Sequence, residues 1–139
     1  MATVIVDAGP LVALFDKADR HHRWAEERLE GLQFPLLVCE PVLTESLHLL
    51  AGFWSAQEEL LALIEDKALS LSFQFEENFA AVRQLLRKYR ELPMSLADAC
   101  VVRMSEIYEG SAVFTLDSDF IVYRKNGRTP IDLIYPPLN

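Results

Sequence analysis

The stretch Ala2-Thr3-Val4-Ile5-Val6-Asp7-Ala8-Gly9-Pro10 decides the fold. Val4, Ile5 and Val6 are three β-branched apolar residues in a row, the composition of a short strand buried on both faces. The run stops on a carboxylate, Asp7. Gly9 then permits a sharp turn. Pro10 suits the start of a helix, where its missing N–H would have no partner in any case. The order is strand, acid, turn, helix. In open α/β sheets ligands bind outside the carboxyl ends of the strands, which is where Asp7 falls. From this stretch alone two roles are open to it: cap of the following helix, or functional acid.

The alternation begun here continues along the chain. Leu11, Val12, Leu14 and Phe15 read as a short helix. Trp24, Ala25, Arg28, Leu29 and Leu32 recur at spacings of three and four, an amphipathic helix closed by Gly31. Residues 35–39 are an apolar run and the expected second strand. Pro41 opens a helix running to about Phe53, with Leu43, Leu47, Leu50 and Trp54 on one side. Val42, Glu45, Leu49 and Phe53 fall on an adjacent side. Glu45 therefore sits along an apolar stripe, where an unpaired carboxylate is costly.

Residues 58–66 form a further amphipathic helix, and residues 69–73 alternate strictly, as a half-exposed edge strand does. Residues 76–91 predict a long helix with Phe79, Val82, Leu85, Leu86 and Tyr89 inward and Arg83, Arg87, Lys88 and Arg90 outward. Ser95-Leu96-Ala97-Asp98 has capping-box spacing. The helix it opens is apolar nearly all round, hence buried, and Gly110 ends it. Residues 112–116 are another apolar strand running into Asp117-Ser118-Asp119, and residues 131–135 a last one. There is no internal repeat, low-complexity tract or linker. The expectation is one α/β domain over residues 1–139, its mostly parallel sheet covered on both faces.

Composition narrows the function. Hydrophobic residues make up 51% and charged residues 24%, ordinary for a globular chain. The longest run without a formal charge, residues 46–57, is too short to span a bilayer, and the first residues make a poor signal peptide, so no membrane partner is expected. Cys39 and Cys100, with no CxxC spacing, read as buried, reduced thiols of a cytoplasmic protein. The net charge of −8 is awkward for a nucleic-acid partner. Either the partner is not nucleic acid, or acids converge on a site where cations offset them.

Two apolar strands, at residues 4–6 and 112–116, each run straight into Asp. Parallel in one sheet, they bring Asp7 and Asp117 to the same edge. Asp98 opens the helix just before the second of them, and Glu45 is the odd acid on its stripe. Each has a structural excuse: Asp98 as a cap, Glu45 paired with a buried Arg or at the rim, Asp117 and Asp119 as caps of a short helix. Together they would repel one another and raise their pKa values unless cations sat among them. An all-oxygen ligand set suits Mg²⁺ or Mn²⁺. Zinc is disfavoured, since His21, His22 and His48 have no ligand spacing and read as surface or packing residues. GxSxG, GxxxxGK[ST] and GxGxxG are all absent. An acid-lined metal site without a nucleotide-binding loop points to metal-assisted hydrolysis of a phosphodiester.

The ordered set Val4-Ile5-Val6-Asp7, Thr44-Glu45, Leu96-Ala97-Asp98-Ala99 and Thr115-Leu116-Asp117-Ser118-Asp119-Phe120 resembles the PIN domain family, in particular its short VapC-like members. The resemblance covers essentially the whole chain. It implies a three-layer α/β/α sandwich and an Mg²⁺- or Mn²⁺-dependent endoribonuclease, the toxin of a type II toxin–antitoxin pair. Asp7, Glu45, Asp98 and Asp117 correspond to the family's acidic quartet, and Asp119 to an auxiliary acid that binds metal directly or through water. The partners implied are RNA, a cognate antitoxin that blocks the acidic cleft with a basic residue, and a second copy of the chain in a homodimer. The chain departs from many members at Ala8, where they carry Ser or Thr. Ala8 and the net charge favour a second reading, a PIN-like binding or dimerisation module with weak catalysis. A haloacid-type phosphatase is disfavoured, because no Asp stands two residues after Asp7. The cations at Arg83, Arg87, Lys88 and Arg90, with Arg124, Lys125 and Arg128, read either as a solvated face or as phosphate contacts.

Overall fold

The computed structural model describes residues 2–137; Met1, Leu138 and Asn139, which the single-domain expectation also spans, lie outside it. In chain order the elements are β1 (Val4–Val6), α1 (Ala8–Phe15), α2 (His22–Leu29), β2 (Leu36–Leu37), α3 (Glu40–Leu49), α4 (Trp54–Glu65) and β3 (Leu69–Ser70). A 3₁₀ turn (Glu76–Asn78) leads into α5 (Phe79–Lys88), followed by α6 (Leu96–Ile107), β4 (Ala112–Phe114), α7 (Asp119–Val122), β5 (Arg124–Lys125), β6 (Thr129–Pro130) and β7 (Leu133–Ile134).

Five strands form one sheet in the order β3-β2-β1-β4-β7, every pairing parallel. All three residues of β1 are buried, as expected of a central strand covered on both faces. Helices flank the sheet: α6 packs on β1 and β4 with α5 against it, while α1 packs against α2, α3 and α4. Leaving β1, the chain adds β2 and β3 on one side and later β4 and β7 on the other. The strand order therefore reverses between β1 and β4, and the crevice at their carboxyl ends is where a doubly wound sheet binds ligands.

Several expectations changed in detail. The second and third strands shrink to two residues each, β3 keeping its place at the sheet edge. The helix expected to reach Phe53 stops at Leu49, and Gly52 at φ +92° turns the chain, so Trp54 begins α4 and is 72% exposed. Phe79, read as inward, is also exposed. Residues 124–130, given no element from the pattern, form an antiparallel hairpin. Its turn is the three-residue Asn126-Gly127-Arg128, with Asn126 and Gly127 at positive φ, which these residue types adopt readily.

Glu45 is the most consequential correction. The buried face of α3 is Val42 and Ser46, continued by Leu50 at its C-cap, each four residues apart. A serine fits that face because its hydroxyl donates to the Val42 carbonyl oxygen at 2.8 Å, so no buried polar atom is left unpaired. The stripe read as apolar therefore faces outward below Val42, with Leu49 and Phe53 exposed. Glu45 is exposed too, so it bears partial desolvation but not the cost of full burial.

Candidate metal centre

Asp7 occupies the N-cap position of α1, yet its side chain makes no capping hydrogen bond. The carboxylate turns instead to the neighbouring strand. Thr115, fully buried at the end of β4, donates its hydroxyl to Asp7 Oδ2 at 2.7 Å. The same oxygen of Thr115 accepts from the Asp117 backbone N–H at 3.0 Å, and Asp117 Oδ1 accepts from the Asp119 N–H at 2.9 Å. One hydroxyl thus locks two acids 110 positions apart in sequence into a shared frame. Gly9 lets α1 approach this loop: a Cβ there would lie 3.1 Å from Leu116 Cβ, tighter than ordinary van der Waals contact.

Asp98 arrives from α6. The capping box is formed, with the Ser95 hydroxyl accepting from the Asp98 N–H at 3.0 Å and Asp98 Oδ2 accepting from the Ser95 N–H at 3.4 Å. The same Oδ2 accepts a hydrogen bond at 3.0 Å from the hydroxyl of Tyr123, a fully buried side chain. Capping and site-building are therefore compatible here, since both bonds use one oxygen. Tyr123 is itself wedged edge-on between Tyr89 and Phe120, at ring-centroid distances of 5.0 and 5.2 Å. Neither Thr115, beyond its place in the motif, nor Tyr123 was singled out from sequence. The usable signal for Tyr123 is that a tyrosine buried behind an acid-rich turn needs a partner for its hydroxyl.

Asp7, Glu45, Asp98 and Asp117 line one cleft of about 230 Å³, together with Ala8, Gly9, Leu49 and Leu116. Asp98, Asp117 and Asp119 can each offer a carboxylate oxygen, with the three oxygens within 4.8 Å of one another. All five sequence candidates thus meet at the switch point between β1 and β4. The histidines stay out of the cleft lining, and His22 is occupied in packing, with Nδ1 2.7 Å from the Ala13 carbonyl oxygen. Cys39 and Cys100 are buried and free.

The electrostatics are those of carboxylates crowded without counter-charge. Burial pushes the Asp7 carboxyl up from 3.8 to about 6; the Thr115 hydroxyl and Ala8 amide pull it back in part, and the charges of Asp98 and Glu45 raise it further. Asp98 is raised by partial burial and by Asp117, against the opposing hydrogen bonds from Tyr123 and Ser95. Glu45 is raised by its own partial desolvation, then by Asp98 and Asp117. Burial and the adjoining Asp98 carboxylate hold the Tyr123 phenol well above its ordinary range, so it remains a donor. An all-oxygen donor set at this separation fits a hard divalent cation, whose charge would relieve the repulsion.

Residues 4–126 match the family model of the PIN domain. Among solved structures, the crystal structure of Mycobacterium tuberculosis VapC20, described as a Sarcin-Ricin loop cleaving toxin, aligns with a TM-score of 0.76. The sequence identity is 18%, and the alignment covers 84% of this chain and 92% of that one. No curated protein matches the chain by sequence.

Proposed function

The chain belongs to the PIN domain family, and on that premise we propose that it is a divalent-metal-dependent endoribonuclease, the toxin of a type II toxin–antitoxin pair. The observation that carries this reading is the trio Asp98, Asp117 and Asp119, with ligand oxygens within 4.8 Å of one another. With Asp7 they would hold Mg²⁺ or Mn²⁺. A bound ion of this kind supplies a Lewis acid for the phosphate and acidifies a coordinated water.

The chain's own residues do the rest. Tyr123 and Ser95 engage Asp98 through Oδ2. Thr115 holds Asp7 and the Asp117 backbone in one frame, so the ligand set is arranged before a substrate arrives. Glu45 lines the cleft with a raised pKa, which supports assigning it the role of accepting a proton from the attacking water. Attack by water on the phosphorus and departure of the 3′-oxygen would leave a 5′-phosphate and a 3′-hydroxyl.

VapC20 is described as cleaving the Sarcin-Ricin loop, so a structured RNA hairpin is the substrate class to try first. The acidic cleft suits an antitoxin that inserts a basic side chain. The exposed Leu49, Phe53 and Trp54 offer apolar surface to a second copy of the chain. No helix among the described residues is long and apolar enough to cross a membrane, which is compatible with the cytoplasmic location proposed.

The test is incubation of purified protein with hairpin RNA and Mn²⁺, beside Asp7→Asn and Asp98→Asn. Cleavage by the parent alone is expected; equal cleavage by all three, or by none, rejects the nuclease. The alternative, a weakly catalytic binding module, rests on Ala8, which presents a methyl group to the cleft instead of a hydroxyl. Calorimetric titration with Mn²⁺ separates the two, since a vestigial site binds metal feebly.

A further inference from the structure

Two runs of sequence are basic and free of acids: residues 83–90, with Arg83, Arg87, Lys88 and Arg90, and residues 124–128, with Arg124, Lys125 and Arg128. They hold seven of the thirteen Lys and Arg residues, leaving six for the rest of a chain that carries twenty-one Asp and Glu. Folding joins them. Lys88 Nζ donates to the Gly127 carbonyl oxygen at 3.1 Å, and the Tyr89 hydroxyl accepts from the Arg124 N–H at 2.9 Å. Glu106 Oε2, on α6, accepts from the Asn126 N–H at 2.7 Å and fixes the hairpin turn from the other side. The hairpin is thereby pinned alongside the C-terminal half of α5. Among the described residues only Arg90 of the seven cations is in an ion pair, at 3.8 Å from Glu91 with both side chains largely exposed. An acidic protein that leaves six cations on two joined segments without an ion-pair partner presents a surface for an anion.

The position of this surface identifies the anion. Arg124 directly follows Tyr123, whose hydroxyl touches Asp98. Between Asp117 and Arg124 lie six residues, Ser118, the short helix α7 and Tyr123, and Tyr123 ties this segment back to the acids through Asp98. A strand of phosphates resting on the hairpin is therefore directed toward the acid cleft. Five of the seven are arginines, whose planar forks suit phosphate oxygens.

We propose that the β5–β6 hairpin and the adjoining face of α5 are the surface on which the RNA phosphate backbone lies as it enters the cleft. The proposal rests on the nuclease reading above and adds the direction from which the substrate arrives.

The test uses the full chain in EDTA, so that no cleavage occurs, and a labelled single-stranded RNA of about 12 nucleotides. Binding is followed by fluorescence anisotropy across a KCl series for the parent and for a triple variant, Arg87→Gln, Lys125→Gln and Arg128→Gln. These side chains are in no ion pair among the described residues, so the fold should tolerate their loss. A second triple variant, Arg20→Gln, Arg23→Gln and Arg28→Gln, removes the same charge in and just before α2.

Without these three cations to neutralise phosphates, the slope of log K against log[KCl] should become shallower by about 2. Affinity near 0.1 M salt should fall by up to about 100-fold. The α2 variant should keep the parental slope. Equal slopes in all three proteins, equal losses of affinity in both variants, or no binding by the parent overturn the surface. Binding of polyglutamate as tight as that of RNA, and abolished in the same variant, makes an acidic protein the occupant and also overturns it. Cleavage of hairpin RNA in Mn²⁺, scored separately, decides the nuclease: cleavage without a slope difference rejects only this surface, and a slope difference without cleavage rejects only the nuclease.

Discussion

Replacing Asp7 by Asn should make the metal-free protein more stable. Asp7 is 6% exposed, and its carboxyl is pushed up from 3.8 to about 6. A folded-state value above the unfolded one means that the native protein holds this proton more tightly than the unfolded chain does. The penalty for ionising Asp7 in place is absent below pH 3.8, grows through the interval, and is complete above about pH 6. At about 1.4 kcal/mol for each tenfold change in proton affinity, it amounts to about 3 kcal/mol at neutral pH. Asn keeps an acceptor for the Thr115 hydroxyl and carries no charge, so it escapes the penalty. For a chain of this size the gain corresponds to roughly 10 °C in Tm. The assay is thermal unfolding followed by circular dichroism in EDTA, at about pH 7.5 and about pH 4. The variant should melt higher at the first pH, and the gap should close at the second. Saturating Mn²⁺ should then raise the Tm of the parent far more than that of the variant, reversing or erasing the difference. A variant no more stable than the parent in EDTA at pH 7.5, or a gap independent of pH, would refute the claim that burial and neighbouring charge strain Asp7.

Tyr123→Phe should weaken Mn²⁺ binding about tenfold or more by calorimetry, because Asp98 Oδ2 loses the phenol that holds it. A parental affinity in this variant would mean that the hydrogen bond is structural only. Thr115→Val keeps the shape but removes the hydroxyl shared by Asp7 and the Asp117 N–H. It should cost about 1–3 kcal/mol in urea unfolding and move the acidic limb of the cleavage pH profile upward, since Asp7 loses the bond that lowers its pKa. Gly9→Ala should destabilise by about 1–3 kcal/mol, measured by urea unfolding, because the new methyl presses on Leu116.

Asp7 shows how far local pattern reaches. Val4 to Val6 announce a buried strand by composition, and the acid after it follows from position alone. Whether its side chain caps the helix, however, was decided by Thr115, 108 residues away, which draws the carboxylate toward the neighbouring strand. Asp98 is the opposite case: its capping box was legible from a spacing of three residues, and it formed as read. Glu45 misled because helical periodicity locates a stripe without saying which stripe the neighbouring helices α1 and α6 cover. Ser46, polar by inspection, took the buried place by bonding to its own helix. The hairpin at residues 124–130 was readable from Asn126-Gly127, but its short strands offered no alternation to draw attention to it.

What the sequence by itself determined is the succession of strands and helices, the parallel sheet, and the arrival of Asp7 and Asp117 at strand ends. These depend on interactions a few residues long: β-branching, helical spacing, turn chemistry and capping. What only the tertiary structure decided is which acids share a cleft, which oxygen of each is already engaged, and which cations stand beside it. Thr115, Tyr123 and the hairpin reach the site through contacts between segments far apart in the chain, set by the strand order β3-β2-β1-β4-β7. Nothing in a short window of sequence encodes such neighbours, because their closeness is a property of how the whole sheet closes around β1.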